Sequence, residues 1–288
     1  MKALMGKAAL VTGAGSGIGR ALVAELAGAG MMVGALDIDA AAAETAAAEA
    51  RAGGGAAIGL ACDVSDAAQM GAAFAQVEDR LGSISLFCAN AGVTAFERLA
   101  DMSATDIDWI YHVDFLAVSR GIRAVLPAMI AAGEGHIVAT ASMAGLAPTW
   151  VPYHVPYTAA KAGVIGMLMN LRPELAERGV GCTVVCPGGV ATNILDSPRR
   201  RPDRFGGPTS GGITPPAGFR APAGSRYVQR TAGEVARMTL EAVLADRPLV
   251  VTDPRMRGLY GDYATMVMRA FDDAERWEAA NPSASSGA

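Results

Sequence analysis

The sequence predicts an α/β fold, with one domain built on a doubly wound, mostly parallel sheet of seven strands that carries helices on both faces. Short, nearly continuous apolar runs alternate with longer alanine-rich segments through residues 1–190, as in parallel sheets that are covered on both faces. The 288 residues are 51% hydrophobic and 18% charged, which allows a sizeable core. No internal repeat or interdomain linker interrupts this part of the chain.

Each apolar run predicts one strand, and each alanine-rich segment between two runs predicts one helix. The strands are expected at 7–12, 32–37, 56–62, 84–89, 135–141, 181–187 and 247–252. The helices are expected near 17–29, 39–52, 66–81, 104–131, 156–178 and 231–246. We therefore expect residues 1–288 to form a single domain.

Two segments depart from this alternation. Residues 196–230 are dense in Pro, Gly and Arg, which is typical of a substrate lid or a disordered insertion, with arginines that either face solvent or contact an anionic substituent. Residues 253–280 predict a C-terminal helical extension that closes over the pocket or packs on a neighbouring subunit. The last residues, "NPSASSGA", are typical of a frayed tail.

Charge and composition exclude several classes of function. The formal net charge of −4 gives no basic surface for nucleic acid. The four cysteines form no CxxC pair and the chain has three histidines, so we expect reduced thiols and no metal site. No run of eighteen apolar residues and no signal segment is present, which predicts a soluble, cytoplasmic protein without a membrane partner.

The stretch "VTGAGSGIGR" places glycines directly after the first strand and at the start of the first helix. Gly13, Gly17 and Gly19 would let the backbone turn tightly and approach a pyrophosphate at the helix N-terminus. The alternative is a purely structural turn. The strand–turn–helix context favours a Rossmann-like dinucleotide site.

The second strand ends at Asp37, where an acid is expected to bind the hydroxyls of the adenosine ribose. This carboxylate would repel a 2′-phosphate by about 1–4 kcal/mol at a separation of about 4 Å. Neither Ser16 nor Ile38 supplies a basic side chain to neutralise that phosphate. The sequence therefore favours NAD over NADP.

Two tyrosines in "VPYHVPYTAAKAG" compete for the role of catalytic base. Lys161 follows Tyr157 by four residues on a predicted helix, so the two side chains share one face, whereas no lysine follows Tyr153 at that spacing. A free tyrosine has a pKa of about 10, and lowering it by 2–3 units requires about 3–4 kcal/mol of differential stabilisation. The lysine ammonium can provide it, which assigns the base to Tyr157.

Ser142 ends the strand "GHIVATA", and the carboxyl end of a parallel strand faces the ligand crevice. Its hydroxyl could orient the oxygen that Tyr157 protonates or deprotonates. A strand-end serine on its own is more often a helix cap. Beside the Tyr–Lys pair, the functional interpretation is favoured.

Together these motifs resemble the short-chain dehydrogenase/reductase family. The chain carries TGxxxGxG (12–19), "CDV" (62–64), "NAG" (90–92), Ser142, "YTAAK" (157–161) and "PGGVAT" (187–192), in the family's order over roughly residues 5–195. The resemblance implies that Lys161 also binds the nicotinamide ribose, that Asp63 and Val64 lie near the adenine, and that the subunits form a homodimer or homotetramer through the helices at 104–131 and 156–178. The expected cofactor-binding residues are Gly13, Ser16, Gly17, Ile18, Gly19, Asp37, Ile38, Asp63, Val64, Asn90, Ala91, Gly92, Tyr157, Lys161, Pro187, Gly188, Val190 and Thr192.

One position departs from the family pattern. Relatives usually carry asparagine in the long helix before the serine, whereas "HVDFLAV" places Asp114 there. An ionised aspartate only accepts hydrogen bonds, and its charge would oppose the phenolate while favouring a charged Lys161. We predict that Asp114 belongs to the catalytic set, with the alternative that it caps a break in the helix.

The sequence thus predicts an NAD-dependent dehydrogenase that interconverts a secondary alcohol and a ketone. Apolar residues near the site favour a hydrophobic or aromatic substrate, and the long tail resembles dehydrogenases that act on lignin-derived aryl alcohols. The rivals are an NADPH-dependent carbonyl reductase and a non-catalytic NAD(H)-binding protein. The predicted substrate contacts are Met143, Trp150, Tyr153 and Phe205, with Phe96, Leu146 and Val151 nearby.

The loop before Tyr157 also departs from the family pattern. It carries about two more residues after Ser142 than in relatives, which predicts a specificity loop. His154 in this loop is either a second proton carrier or a surface or packing residue.

Overall fold

A computed structural model describes residues 4–213 and 230–281 of the chain. Its seven strands are all parallel and lie in the order β3-β2-β1-β4-β5-β6-β7. They are β1 (Ala8–Thr12), β2 (Met32–Asp37), β3 (Ala56–Ala61), β4 (Ile84–Ala89), β5 (Gly135–Thr140), β6 (Val180–Cys186) and β7 (Leu249–Val251). The predicted Rossmann-like α/β fold is confirmed, and every predicted strand is present.

The helices cover both faces of the sheet. They are α1 (Gly17–Gly28), α2 (Ala40–Ala52), α3 (Ala67–Leu81), α4 (Ala104–Tyr111), α5 (Ala117–Ala132), α6 (Met143–Leu146), α7 (Val155–Ala176), α8 (Ala232–Leu244) and α9 (Arg257–Ala280). The helix predicted at 104–131 is divided by a π-helical turn at His112–Leu116, and the four-residue α6 was not predicted.

Side chains alternate along each strand between two hydrophobic cores. In β1, for example, Leu10 lies in the core under α3, α5 and α7, whereas Val11 lies in the core under α1, α2 and α8. Because both faces are covered, the strands need apolar residues at nearly every position, which explains their continuous apolar runs.

Side-chain caps define where several helices begin. The carboxylate of Asp66 accepts hydrogen bonds from the backbone amides of Ala68 and Gln69 at the start of α3. Thr231 and Glu234 form a reciprocal capping box at the start of α8. These caps follow from short sequence motifs, so the predicted helix starts lie close to the observed ones.

The strand order reverses between β1 and β4, which are neighbours in the sheet although two strands separate them in the chain. The loops that leave the carboxyl ends of these strands diverge to opposite faces. In open α/β sheets this switch point opens a crevice for ligands. It is here that the predicted site residues meet.

Two helical segments differ from the others in apolar character or in burial. By length and composition alone, the helical stretch Ala104–Ala132 could cross a membrane, but a core helix passes the same test, and Ile122, Val125 and Met129 of this stretch are buried in the core. The C-terminal helix α9 has no buried residue. Residues 214–229 of the predicted lid and 282–288 of the predicted tail lie outside the described residues.

Candidate active site

A cavity of about 990 Å³ opens at the carboxyl ends of the strands, across the β1–β4 switch point. Most of the predicted cofactor residues line it. They are Gly13, Ser16, Gly17, Ile18, Asp37, Ile38, Asp63, Val64, Asn90, Ala91, Gly92, Tyr157, Lys161, Pro187, Gly188, Val190 and Thr192. Ser142 and Trp150 lie on the same wall.

The glycine loop leaves bare backbone at the floor of the cavity. Gly13 has φ of +64°, and a Cβ at this position would lie 2.7 Å from the Cα of Ala91. Gly19 is not on the wall, because its role is internal: a Cβ there would lie 2.0 Å from the carbonyl oxygen of Gly13. Only glycine permits this close packing of loop against helix.

Asp37 lies at the end of β2 and lines the cavity beside Ile38. Its Oδ2 accepts a hydrogen bond from the Gly15 amide at 2.8 Å, and its Oδ1 accepts one from the Asp39 amide at 3.0 Å. The two amides fix the carboxylate next to the glycine loop. This is the position that a ribose-binding acid requires.

Asn90 connects the ends of three strands. Its Nδ2 donates to the Thr12 carbonyl at 3.1 Å, and its Oδ1 accepts from the Thr140 hydroxyl at 3.0 Å. The backbone amide of Asn90 also donates to the Thr12 hydroxyl at 3.0 Å. The "NAG" turn is thereby held to β1 and β5, where it forms part of the cavity wall.

Tyr157 and Lys161 lie one turn apart on α7, and both are buried. The Lys161 Nζ atom is 5.5 Å from the centre of the Tyr157 ring. It donates to the Thr140 carbonyl at 3.0 Å and forms an ion pair with Asp114 Oδ1 at 3.0 Å. The ammonium is thus held between β5 and the π-helical turn.

Asp114 lies behind Lys161 and not on the cavity wall, and it has no exposure to solvent. The Val93 amide donates to both carboxylate oxygens, at 3.3 and 3.4 Å. Burial raises the pKa of Asp114 to about 6, although Lys161 opposes this shift. Asp114 therefore lies at a break in the helix, but its carboxylate bonds to Val93 and Lys161 and not to either helix end at this break.

The electrostatic surroundings of Tyr157 contain opposing influences. Burial is the largest of them and, with Asp114, raises the pKa of the phenol above its ordinary value, although the Lys161 ammonium and a hydrogen bond from the Ser142 hydroxyl lower it. Burial would lower the pKa of Lys161, but Asp114 and Tyr157 together outweigh burial and raise it. Lys161 is therefore a permanent cation beside the phenol.

Ser142 is also the N-cap of α6, where its hydroxyl accepts a hydrogen bond from the Ala144 amide at 3.1 Å. The cap role weighed against function in the sequence is therefore present together with the contact to Tyr157. The cap fixes the oxygen of Ser142, while its hydroxyl proton is directed to the Tyr157 oxygen.

His154 is buried and belongs to the cavity wall, which excludes the surface alternative. Its ring stacks between those of Phe96 and Tyr157, with centroids 4.1 and 4.3 Å away. Its Nε2 lies 2.5 Å from the Thr94 hydroxyl. Burial lowers the pKa of His154 to about 4, so the ring is neutral at physiological pH.

Three predicted substrate residues, Met143, Tyr153 and Phe205, do not line the described cavity. Met143 is fully buried in the core, since its place at the start of α6 turns it away from the opening. Tyr153 has φ of +63°, and its backbone carbonyl accepts a hydrogen bond from the Glu97 amide. Phe205 packs against the His112 ring instead. Leu146, which the sequence placed nearby, also packs against the core and not on the cavity wall.

One part of the cavity lining is apolar and aromatic. Its residues include Val93, Phe96, Trp109, Val113, Trp150, Val151, Ile194 and Leu195. Sequence analysis missed Trp109 and Val113, although they precede Asp114 by five residues and one residue on the same helical stretch. It also missed Ile194 and Leu195, which lie just before the segment predicted as a lid.

Three arginines within residues 200–204 of that segment each form an ion pair with an acid that lies far away in the chain. Arg200 pairs with Asp39 at 3.4 Å, Arg201 with Asp106 at 2.5 Å, and Arg204 with Asp63 at 2.8 Å. We call Arg200, Arg201 and Arg204 the arginine strap. Two of its partners, Asp39 and Asp63, follow β2 and β3 on the adenosine side of the cavity.

Comparison with known proteins identifies the class. The family model described as short chain dehydrogenase matches residues 7–203, and the chain belongs to this family. D-threitol dehydrogenase of Mycolicibacterium smegmatis is 38% identical over 200 residues, which cover 68% of this chain and 76% of that protein. A C alpha-dehydrogenase of a Sphingobium species is 35% identical over 215 residues, which cover 73% and 68%.

Solved structures agree with this assignment. A short-chain dehydrogenase/reductase from Burkholderia phymatum in complex with NAD superposes with a TM-score of 0.80 at 33% identity, covering 96% of this chain and 97% of that one. The apo form of LigO from a Sphingobium species superposes with a TM-score of 0.77 at 28% identity, covering 98% and 93%. The family resemblance drawn from the sequence motifs is confirmed.

Proposed function

We propose that this protein is an NAD-dependent oxidoreductase that interconverts a hydrophobic or aromatic secondary alcohol and its ketone. The observation that carries the proposal is the buried Tyr157–Lys161 pair at a cavity that is partly lined by aromatic residues. Tyr157 is the general acid/base. Ser142 orients the reacting oxygen, and Asp114 supports the charge of Lys161 from behind.

The chain's own residues account for the movement of the proton. The substrate hydroxyl lies between Ser142 and Tyr157, and the phenolate of Tyr157 removes its proton as the carbonyl forms. Lys161 stabilises the phenolate through its fixed positive charge. The bound dinucleotide supplies the hydride acceptor in this direction and the donor in reverse.

The glycine loop and Asp37 fit a dinucleotide. The close approach of Gly13 to Ala91 leaves no room for a side chain, so backbone lines the place where a pyrophosphate would lie. Asp37 would accept bonds from the ribose hydroxyls and repel a 2′-phosphate. The related Burkholderia structure holds NAD, which further supports this choice of cofactor.

Arg200 favours the alternative cofactor NADP, because its positive side chain lines the cavity along with Asp37. Its guanidinium pairs with Asp39, which leaves it partly neutralised. We expect kcat/KM for NAD to exceed that for NADP by at least about tenfold, roughly the effect of 1.4 kcal/mol of charge repulsion. Steady-state assays with both cofactors test this, and a preference for NADP would favour the carbonyl reductase alternative.

The substrate class follows from the cavity wall. Phe96, Trp109 and Trp150 offer flat apolar surfaces on which an aryl group can pack. An NAD-reduction screen of secondary alcohols, graded by size, aromaticity and charge, tests this expectation. Turnover confined to small polyols, such as the substrate that the name D-threitol dehydrogenase implies, would contradict it.

Substitution of the two tyrosines tests the catalytic assignment. Tyr157→Phe should reduce turnover by at least about 10³-fold and still bind NADH, because it removes only the proton-transferring oxygen. Tyr153→Phe is the matched control and should retain activity, since its side chain lies off the described cavity wall. Wild-type turnover in Tyr157→Phe would overturn the assignment. If the unmutated protein binds NADH but turns over none of the tested alcohols or ketones, the non-catalytic alternative is favoured.

We further propose that the protein is cytoplasmic and works as a homodimer or homotetramer. The composition and the family fold support the first statement. The exposed apolar residues of α9, among them Met268 and Phe271, support the second.

A further inference from the structure

Three aromatic rings form one continuous stack beside the reacting oxygen. Phe96, His154 and Tyr157 are nearly parallel, with interplanar angles of 15° and 14° between neighbours. The middle ring belongs to the loop before Tyr157, which the sequence predicts to be a specificity loop. His154 is also the N-cap residue of α7, and its carbonyl accepts the Thr158 amide at 2.9 Å.

We propose that His154 is a positioning residue that holds the phenol ring of Tyr157 in its working orientation. This inference rests on the proposed function and adds a residue to it. In this proposal, the loop before Tyr157 places a flat, neutral ring against the face of the catalytic tyrosine.

The imidazole is itself held on several sides. Its Nε2 is bonded to the Thr94 hydroxyl, and Thr94 is almost fully buried just after the "NAG" turn. Phe96 covers the ring face that Tyr157 does not. At a centroid separation of 4.3 Å, Tyr157 has no room to tilt toward this rigid ring.

Orientation, and not charge, is what His154 contributes. Lys161 and Asp114 are the charged groups that act on Tyr157. Burial lowers the pKa of His154, so the imidazole is neutral and adds no charge beside the phenol. Within residues 4–213 and 230–281, the Nδ1 atom has no hydrogen-bond partner, so no proton relay leads from it through the described chain.

Two substitutions separate the ring from its hydrogen bond. His154→Phe keeps a flat ring and loses the bond to Thr94, whereas His154→Gln keeps a bonding group and loses the ring. We expect His154→Gln and His154→Ala to lower kcat by roughly ten- to a hundredfold, the cost of a misplaced reacting group. His154→Phe should stay within about threefold of the wild type, because stacking is retained.

NADH affinity and the thermal midpoint, measured for each variant, show that the site remains folded. Equal losses in the Phe and Ala variants would overturn the proposal, as would a wild-type kcat in the Ala variant. A Gln variant more active than the Phe variant would do the same, because it would assign the effect to the hydrogen bond.

A second measurement requires no substrate and therefore separates this inference from the proposed function. The flip rate of the Tyr157 ring can be followed by NMR with ring-labelled tyrosine, using Tyr157→Phe to assign the signal. Slow flipping in the wild type and His154→Phe, with fast flipping in His154→Ala, is the expected result. Equal flip rates in all three proteins would overturn the inference even if wild-type turnover were normal.

Discussion

At the residue scale, Asp114 is the group that most distinguishes this site from the family pattern. Its carboxylate is fully buried, bonded to the Val93 amide and paired with Lys161 at 3.0 Å. The pair keeps Lys161 charged but places a negative charge near the phenol. The lysine therefore stabilises the Tyr157 phenolate less than it would with a neutral partner.

Asp114→Asn should move the rising limb of the pH profile for alcohol oxidation to lower pH. The carboxylate raises the pKa of Tyr157, so its removal lowers that pKa and populates the phenolate at lower pH. The pH dependence of kcat/KM measures the shift. Asp108→Asn, an exposed acid on the same helical stretch, is the control and should leave the limb in place.

A limb that stays fixed in Asp114→Asn, or that moves to higher pH, would contradict this account. The second result would mean that the carboxylate helps the phenolate through its hold on Lys161 more than it opposes the phenolate by charge. Thermal midpoints near that of the wild type would show that both variants remain folded.

At the element scale, the segment after β6 is fastened across the cavity by the arginine strap. Its three ion pairs reach acids after β2, after β3 and in α4. Arg204 also donates to the Ser65 hydroxyl, which itself bonds to Asp63 at 2.5 Å. Since Asp39 and Asp63 lie at the predicted adenosine end, the strap should slow release of the cofactor.

Arg204→Ala should raise the Kd for NADH by about fivefold, because a partly exposed ion pair contributes about 1 kcal/mol. Fluorescence titration and stopped-flow displacement measure the Kd and the release rate. Arg199→Ala is the matched control, since Arg199 forms only an exposed pair with Asp196 in the same segment. A lower Kd in Arg204→Ala would instead show that Arg204 competes with the adenine for Asp63.

At the scale of the whole molecule, α9 is the helix with the least packing against the described residues. It spans 24 residues without one that is buried, only its start packs on the core through Leu259, and it exposes Met266, Met268, Phe271 and Trp277. A helix with so little tertiary packing is only marginally stable in water. Exposed large apolar side chains on one helix indicate an interface, and a second copy of this chain is the occupant that the oligomer proposal supplies.

The double substitution Met268→Glu and Phe271→Glu should lower the molar mass in solution, because it places charge in the proposed interface. Size-exclusion chromatography with light scattering gives the mass. Asp272→Asn on the same helix is the control and should keep the wild-type mass. An unchanged mass in the double variant would assign α9 a role within one chain.

Much of this molecule follows from local sequence pattern. The apolar runs predict all seven strands, and "VTGAGSGIGR" predicts a glycine loop at the start of α1. The spacing of Tyr157 and Lys161 brings both to one face of α7, since a helix places residues four apart side by side. These features depend on neighbours in the chain, so the sequence alone determined them.

Tertiary structure decided which distant residues meet around that frame. Thr94 and His154 are 60 positions apart, and Asp63 and Arg204 are 141 apart, so no local pattern relates them. The same holds for Met143, whose neighbour Ser142 faces the cavity while its own side chain is buried. The sequence determined the fold and the spacing of Tyr157 and Lys161, whereas packing between separate elements decided what surrounds Tyr157, what holds the arginine strap and which residues line the cavity.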